Sequence, residues 1–225
     1  MNPRIIVIAG TSSNSGKTTL LCDLLRQLSA KTWAVSQTWE AIKLTRGHYR
    51  SCGKDPHACC VSGLLGEQPT VCSGREATYP TGTAGKDTAR YWDAGAADVH
   101  WVIATNAQVE AGINEALSRV AAPNVLIEGT SALQFVKADL AILAVGSDLS
   151  KPKASVRRAL IERKINAIYL PAENTKAAKS AELFAALVNI SPAIDGDWLA
   201  SLPIFSPNDL PQLASLSMKP AISSR

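Results

Sequence analysis

The chain has 225 residues, 46% of them hydrophobic, and a formal net charge of +4. This size and apolar content predict one domain over residues 1–225 with a full core. The charge suits anionic ligands but forms no basic block, so we expect no nucleic-acid partner. No apolar stretch approaches the ~20 residues that span a bilayer, and the run at residues 5–9 is too short for a signal peptide. We therefore expect a cytoplasmic protein with no membrane partner.

The most informative segment is residues 5–21, which read IVIAGTSSNSGKTTLLC. A β-branched apolar run precedes a loop of small residues, and a Leu-rich helical pattern follows Gly16. A strand, a glycine-bounded loop and a helix N-terminus in this order predict a phosphate-binding site. We expect Lys17 to reach the β- and γ-phosphates and the Thr18 hydroxyl to bind Mg²⁺. The segment therefore predicts binding of a nucleoside triphosphate.

This loop is one residue longer than the strict motif. Five residues separate Gly10 from Gly16 instead of four, and Thr11 occupies the place of the first glycine. The longer form resembles the dethiobiotin synthetase and MobB branch of the P-loop proteins. The residues predicted to contact the nucleotide are Gly10, Thr11, Asn14, Ser15, Gly16, Lys17, Thr18, Thr19 and, from further along the chain, Lys43.

After the loop, strand and helix patterns alternate. This alternation predicts an α/β fold, with a mostly parallel sheet and helices on both faces. The predicted elements are a helix at 20–28, a strand at 38–44, a helix at 86–97, a strand at 99–104, a helix at 109–120, strands at 124–127 and 140–145, a helix at 155–163, a strand at 167–170, a helix at 177–188 and a loose tail at 216–225.

Residues 45–85 interrupt the alternation and are rich in Gly, Pro, Ser and Cys. Because this is too long for a plain connection, we predict a functional insertion or lid. Its thiols and imidazole would suit Zn²⁺, although the spacing is not a clean pair of Cys-x-x-Cys knuckles. A zinc site, ordinary thiols and redox or Fe–S chemistry are the alternatives here, whereas Cys22 is predicted to lie in the core. The proposed zinc ligands are Cys52, His57, Cys59 and Cys72.

Three charged residues fall where predicted strands or helices begin or end. Glu128 closes a strand, at the edge where open α/β sheets bind ligands, and could hold Mg²⁺ or position an attacking group. Lys43 lies near the end of another strand, where it could neutralise phosphate or a substrate carboxylate. Asp87 begins a helix and either caps it or meets substrate or Mg²⁺. The alternative for Glu128 and Lys43 is an ordinary solvated side chain at a strand end.

The ordered set GTSSNSGKTT, AIK, GKDTARYWDAGA, VLIEG and DLAILAV resembles the molybdopterin-guanine dinucleotide biosynthesis protein B (MobB) family. The later segment LPIFSPNDLPQLA resembles that family's closing segment. The resemblance implies a P-loop nucleoside triphosphate hydrolase fold and a slow GTPase or ATPase that assists molybdenum cofactor biosynthesis. It also implies a homodimer and a molybdopterin-processing partner. By position it makes Lys17 a phosphate residue, Thr18 and Glu128 the Mg²⁺ residues, and Lys17, Asp87 and Glu128 the catalytic set.

The sequence departs from the family in two places. The segment LTRGHYRSCGKDPHACC replaces the family's His-rich stretch, and no Asn-Lys-x-Asp signature for guanine is present. GTP and ATP therefore both stay candidates, with base-reading loops expected at residues 147–148 and 173–174. The alternative functions are an ATP-dependent ligase resembling dethiobiotin synthetase, with Lys43 orienting a substrate, and a nucleotide-dependent metal-binding adaptor.

Overall fold

A computed structural model describes residues 2–29, 38–47, 65–74, 86–150, 152–172 and 177–219. Within these residues the strands are β1 (Arg4–Gly10), β2 (Trp39–Arg46), β3 (Thr70–Ser73), β4 (Val99–Ala104), β5 (Asn124–Glu128), β6 (Leu140–Ala144), β7 (Ala167–Tyr169) and β8 (Ile204–Phe205). The helices are α1 (Lys17–Ser29), α2 (Lys86–Asp93), α3 (Val109–Arg119), α4 (Ala154–Ile161), α5 (Ala177–Val188), α6 (Gly196–Ser201) and α7 (Leu210–Met218). None of the helices in the described ranges is long and apolar enough to cross a membrane.

The strands form one sheet in the order β3-β4-β2-β5-β1-β6-β7-β8. Neighbouring strands are parallel except for β3, which runs antiparallel to β4. The predicted α/β class with a mostly parallel sheet is therefore confirmed. Because the carboxyl ends of parallel strands meet at one edge, the segments that follow β1, β2, β5 and β6 converge there.

Apolar side chains of alternating strand positions pack on opposite faces of the sheet, as a period of two requires. Ile6 and Ile8 pack with α1, α2 and α7, whereas Val7 and Ala9 pack with α3, α4 and α5. Helix α1 is held by a leucine stripe, and each buried leucine contributes about 1.5–3 kcal/mol. This packing fixes the N-terminus of α1, which begins directly after the glycine-bounded loop. The stripe consists of Leu20, Leu21, Leu24, Leu25 and Leu28, all at most 2% exposed.

The predicted insertion at residues 45–85 contains regular structure that the sequence pattern did not indicate. β2 continues to Arg46, and β3 at Thr70–Ser73 adds an antiparallel edge strand. Residues 48–64 and 75–85 of the segment lie outside the described residues.

The loose tail predicted for residues 216–225 is wrong at its start. Helix α7 continues to Met218, and the Ser217 hydroxyl is fully buried and donates to the Leu213 carbonyl at 2.9 Å. The helix persists because Leu213 and Ala214 pack on the same side of the sheet as α1. Residues 220–225 lie outside the described ranges. β8, α6 and α7 were not predicted as elements, and β8 and α6 are short, with two and six residues.

Candidate functional site

The loop between β1 and α1 is anchored by two threonine hydroxyls. The buried Thr11 hydroxyl accepts from the Gly146 amide at 2.9 Å, directly after β6. The Thr130 hydroxyl accepts from the Gly10 amide at 2.9 Å and donates to the Gly10 carbonyl at 3.1 Å. The Thr11 amide donates to the Ala144 carbonyl at 3.2 Å. The sequence predicted Thr11 as a nucleotide contact. In the structure, its hydroxyl and its amide both hold the loop to the sheet.

Two glycines are required by the shape of this loop. Gly16 has a φ of +80°, in the left-handed region where a side chain is strained. At Gly10, an added Cβ would lie 2.6 Å from Cδ of Lys17. The glycines therefore allow the Lys17 side chain to fold back along the loop.

The Lys17 ammonium lies against the loop itself. Its Nζ donates to the Ser12 carbonyl at 2.6 Å and to the Ser15 hydroxyl at 3.2 Å. Burial lowers the pKa of Lys17 to about 8, more strongly than Glu128 raises it. None of the carboxylates in the described residues forms an ion pair with Lys17. The loop thus holds a partly dehydrated cation, of the kind that a phosphate group stabilises.

Glu128 is the centre of the polar contacts beside the loop. The side chain of Glu128 is 4% exposed, and its carboxylate accepts from the Thr18 hydroxyl at 2.8 Å, from Lys43 Nζ and from the Tyr91 hydroxyl. Lys43 also forms an ion pair with Asp87 at 2.8 Å. The structure therefore brings together four segments that are separate in the sequence. They contribute Lys17 with Thr18, Lys43, Asp87 and Glu128.

The sheet register explains why these residues meet. Lys43, three residues before the end of β2, is the direct neighbour of Glu128, the last residue of the parallel strand β5. Asp87 lies in the first turn of α2, and Tyr91 follows one turn later on the same helix face. Tyr91 is fully buried, and burial together with Glu128 raises its pKa well above the ordinary value, so it stays a donor. Sequence reasoning missed Tyr91, although its spacing of four from Asp87 could have indicated it.

A cleft of about 460 Å³ opens beside these residues. Its lining includes four basic side chains and only two carboxylates, so its charge favours an anion. Two of the basic residues, Arg46 at the end of β2 and Lys153 just before α4, were not singled out from the sequence. Burial lowers the pKa of Lys153, and the charges of Arg46 and Lys43 lower it further. The charged lining residues are Lys17, Lys43, Arg46, Lys153, Asp87 and Glu128.

The remaining predicted contacts lie at the outer side of the loop. Asn14 and Thr19 are exposed, and the Thr19 hydroxyl accepts from Arg90 at 3.3 Å. Ser147, expected in a base-reading loop, lines a separate hollow of about 540 Å³ that Leu183 of α5 also lines. The other expected base-reading loop, residues 173–174, lies outside the described residues.

The predicted zinc ligands divide between described and undescribed residues. Cys72 lies on β3, whereas Cys52, His57 and Cys59 are outside the described ranges. Among the residues that the structure describes, no group of three or more His, Cys, Asp or Glu side chains could hold a metal ion. Cys22 is 1% exposed, as predicted for a core residue, and burial raises its pKa to about 11.

The oxygen donors beside the loop fit a magnesium ion. Mg²⁺ prefers hydroxyl, carboxylate and water oxygens and usually keeps several of its waters. The Thr18 hydroxyl and the Glu128 carboxylate are adjacent, at 2.8 Å, and the Asp87 carboxylate lines the same cleft. Thr18 and Glu128 are therefore the residues that would hold the ion. Glu128 would do so through a water molecule, because its carboxylate also accepts from Lys43 and Tyr91.

In comparisons with known proteins, no family model matches this chain and no curated protein gives a significant match.

Proposed function

We propose that the protein binds a magnesium-bound nucleoside triphosphate, GTP or ATP, in the cleft beside the β1–α1 loop, and hydrolyses it slowly. The observation that carries this proposal is the position of the Lys17 ammonium, which lies inside a glycine-shaped loop at the N-terminus of α1. A helix N-terminus and a buried cation together favour the phosphates of such a ligand. We also propose that the protein has a P-loop hydrolase fold. The mostly parallel sheet and the loop between β1 and α1 support this proposal.

Each residue has a part in the proposed reaction. Lys17 would exchange its bonds to the Ser12 carbonyl and the Ser15 hydroxyl for bonds to phosphate oxygens. Bound Mg²⁺ would supply further positive charge against the phosphates. Glu128 would orient the ion's water, and Asp87, which is paired with Lys43 but has a side chain 42% exposed, would orient the attacking water. Water would add to the γ-phosphorus as the bond to the diphosphate breaks, and a proton would be released.

The pathway part of the proposal depends on the resemblance to the MobB family. The motifs that carry it contribute the loop, Lys43, Asp87 and Glu128, and the structure places these together in one cleft. We propose that the protein assists molybdenum cofactor biosynthesis as a homodimer, with a molybdopterin-processing enzyme as its partner. The alternative of a nucleotide-dependent metal-binding adaptor depends on Cys52, His57, Cys59 and Cys72, of which Cys72 alone lies within the described residues.

An ATP-dependent ligase that resembles dethiobiotin synthetase is the second candidate. The observation that favours it is Lys43, which lines the same cleft as Lys17 and could orient a substrate there. Incubation with ATP, bicarbonate and diaminopelargonate tests it. Formation of dethiobiotin would favour the ligase, and unreacted diaminopelargonate would exclude it.

Titration calorimetry with GTP and with ATP, each with and without Mg²⁺, tests nucleotide binding. The Lys17→Ala variant should bind at least about tenfold more weakly, because it loses charge-assisted bonds worth about 1.5–3 kcal/mol each. Lys137→Ala is the matched control, since Lys137 is exposed and lies apart from the cleft. Phosphate release by the same samples measures hydrolysis. Equal binding by wild type and Lys17→Ala would contradict the proposal.

A further inference from the structure

A second, smaller hollow continues from the nucleotide cleft on the side away from the loop. It has a volume of about 220 Å³, and Arg46, Ser131 and Ser155 line both spaces. We call it the anion hollow, and its remaining walls are formed by residues of the segment between β4 and α3, of α3, of α4 and of the segment after β5. These residues are Asn106, Val109, Gln134, Phe135, Ala154 and Arg158.

Within the described residues, no carboxylate is paired with the arginines that line the anion hollow. Arg46 donates to the amide oxygen of Asn106 at 3.2 Å, and Arg158 donates to that of Gln134 at 2.7 Å. Both partners are neutral, and no carboxylate of the described residues forms an ion pair with either arginine. The amides therefore hold the two guanidinium groups in place while their charge stays available to a ligand.

Ser155 adds a buried hydroxyl to the same wall. The residue is 5% exposed, and its Oγ has no hydrogen-bond partner among the described residues. A buried polar atom without a partner is costly, so a ligand atom that bonded to it would remove that cost. Ser155 is also the second residue of α4, where the helix dipole favours negative charge.

We propose that the anion hollow binds the carboxylate or phosphate group of a small second substrate and presents that substrate to the terminal phosphate of the nucleotide. The role of the second substrate depends on the proposed function, because that places the triphosphate in the adjoining cleft. Val109, Phe135 and Ala154 provide apolar surface for the body of the molecule. Arg46, Arg158 and Ser155 would bind its anionic end.

The test uses two probes, inorganic phosphate and succinate, titrated into the protein by calorimetry. The protein is first saturated with Mg²⁺ and a non-hydrolysable ATP or GTP analogue, so that the loop is occupied. Wild type should bind at least one probe at a single further site, and the tighter probe identifies phosphate or carboxylate as the preferred group. Absence of any further binding would overturn the proposal.

Variants of α4 locate the site. Arg158→Gln and Ser155→Ala should each weaken probe binding, Arg158→Gln by about tenfold or more, since it loses a charged donor. Arg157→Gln is the matched control, because Arg157 is the exposed neighbour on the same helix and does not line the hollow. Unchanged probe binding in Arg158→Gln would overturn the proposal. An equal loss of nucleotide and probe affinity would do so as well, since it would place Arg158 in the nucleotide site.

Failure of nucleotide binding would not be confused with failure of this inference. If no nucleotide binds, the proposed function and the presenting role of the hollow have failed, and repeating the titrations on the nucleotide-free protein still tests whether the anion hollow binds an anion. Under those conditions Lys17→Ala should keep the probe site, and Arg158→Gln should lose it. The opposite pattern would show that the probes bind in the loop and would overturn the anion hollow.

Discussion

The substitution Glu128→Gln tests the polar cluster beside the loop through stability alone. The glutamine has the same shape and can still accept bonds from the Thr18 and Tyr91 hydroxyls. It removes the charge that faces Lys43, however, and its amide group adds a donor where an acceptor is needed. Because both side chains are largely buried, 4% exposed for Glu128 and 15% for Lys43, the free energy of unfolding should fall.

The structure bounds the size of this loss. Removing one partner of a buried ion pair costs about 3–5 kcal/mol when the other charge is left alone. Lys43 keeps a second partner in Asp87, at 2.8 Å, so its charge is still compensated in part. The two hydroxyl bonds to residue 128 also survive. We therefore expect Glu128→Gln to lower the free energy of unfolding by about 2–3 kcal/mol, below the full cost of a broken buried pair.

Urea denaturation of the nucleotide-free protein measures the loss as a lower transition midpoint at unchanged slope. Asp87→Asn is the control, because this partly exposed pair should contribute no more than about 1 kcal/mol. Adding Lys43→Met to Glu128→Gln should recover part of the loss, because no buried charge is then left without a partner and the remaining Asp87 carboxylate is 42% exposed to water. A wild-type midpoint for Glu128→Gln, or strictly additive losses in the double variant, would refute the reasoning.

Three further predictions concern the loop and its support. With a pKa of about 8, Lys17 is about one-tenth protonated at pH 9. Nucleotide affinity measured by calorimetry should therefore fall about tenfold from pH 7 to pH 9. An affinity that does not change with pH would contradict the lowered pKa. Tyr91→Phe should lower the free energy of unfolding by about 1 kcal/mol in urea, because a buried hydrogen bond to Glu128 is lost; an unchanged midpoint would contradict that role. Gly10→Ala should weaken nucleotide binding by displacing Lys17, whereas Gly196→Ala, where an added Cβ makes only ordinary contacts, should bind as wild type does; equal affinities would show that the loop tolerates the methyl group.

The sequence predicted the elements that bury long apolar runs. Strands such as Leu140–Ala144 and the leucine stripe of α1 stand out because each buries a complete face or strand. The strands β3 and β8 were missed because neither buries a long apolar run. β3 has four partly exposed residues and β8 has two, so their patterns are too weak to distinguish from loop. Their place in the sheet is set by pairing with β4 and β7.

The loop of the candidate site could be predicted from the sequence because its residues lie close together in the chain. Gly10, Gly16, Lys17 and Thr18 belong to one contiguous segment, so their spacing alone indicates a phosphate loop. Lys43 and Glu128 are 85 positions apart, and only their position at strand ends suggested a shared edge.

The remaining site residues depend on tertiary packing. Tyr91 reaches Glu128 only because α2 packs beside β2 and β4. Arg46, Lys153 and Ser155 meet because β2 and the start of α4 lie at the same end of the sheet. Such contacts are set by strand order and register, which a single sequence does not specify.

The most direct test of the central claim is an experimental structure of the protein with Mg²⁺ and a non-hydrolysable analogue of ATP or GTP. We expect the terminal phosphate within hydrogen-bond distance of Lys17 Nζ, and Mg²⁺ between that phosphate and the Thr18 hydroxyl. Lys17 should also leave the Ser12 carbonyl, to which it now donates at 2.6 Å. A nucleotide bound away from residues 10–19, or a Lys17 that keeps its loop contacts beside a bound nucleotide, would contradict the account.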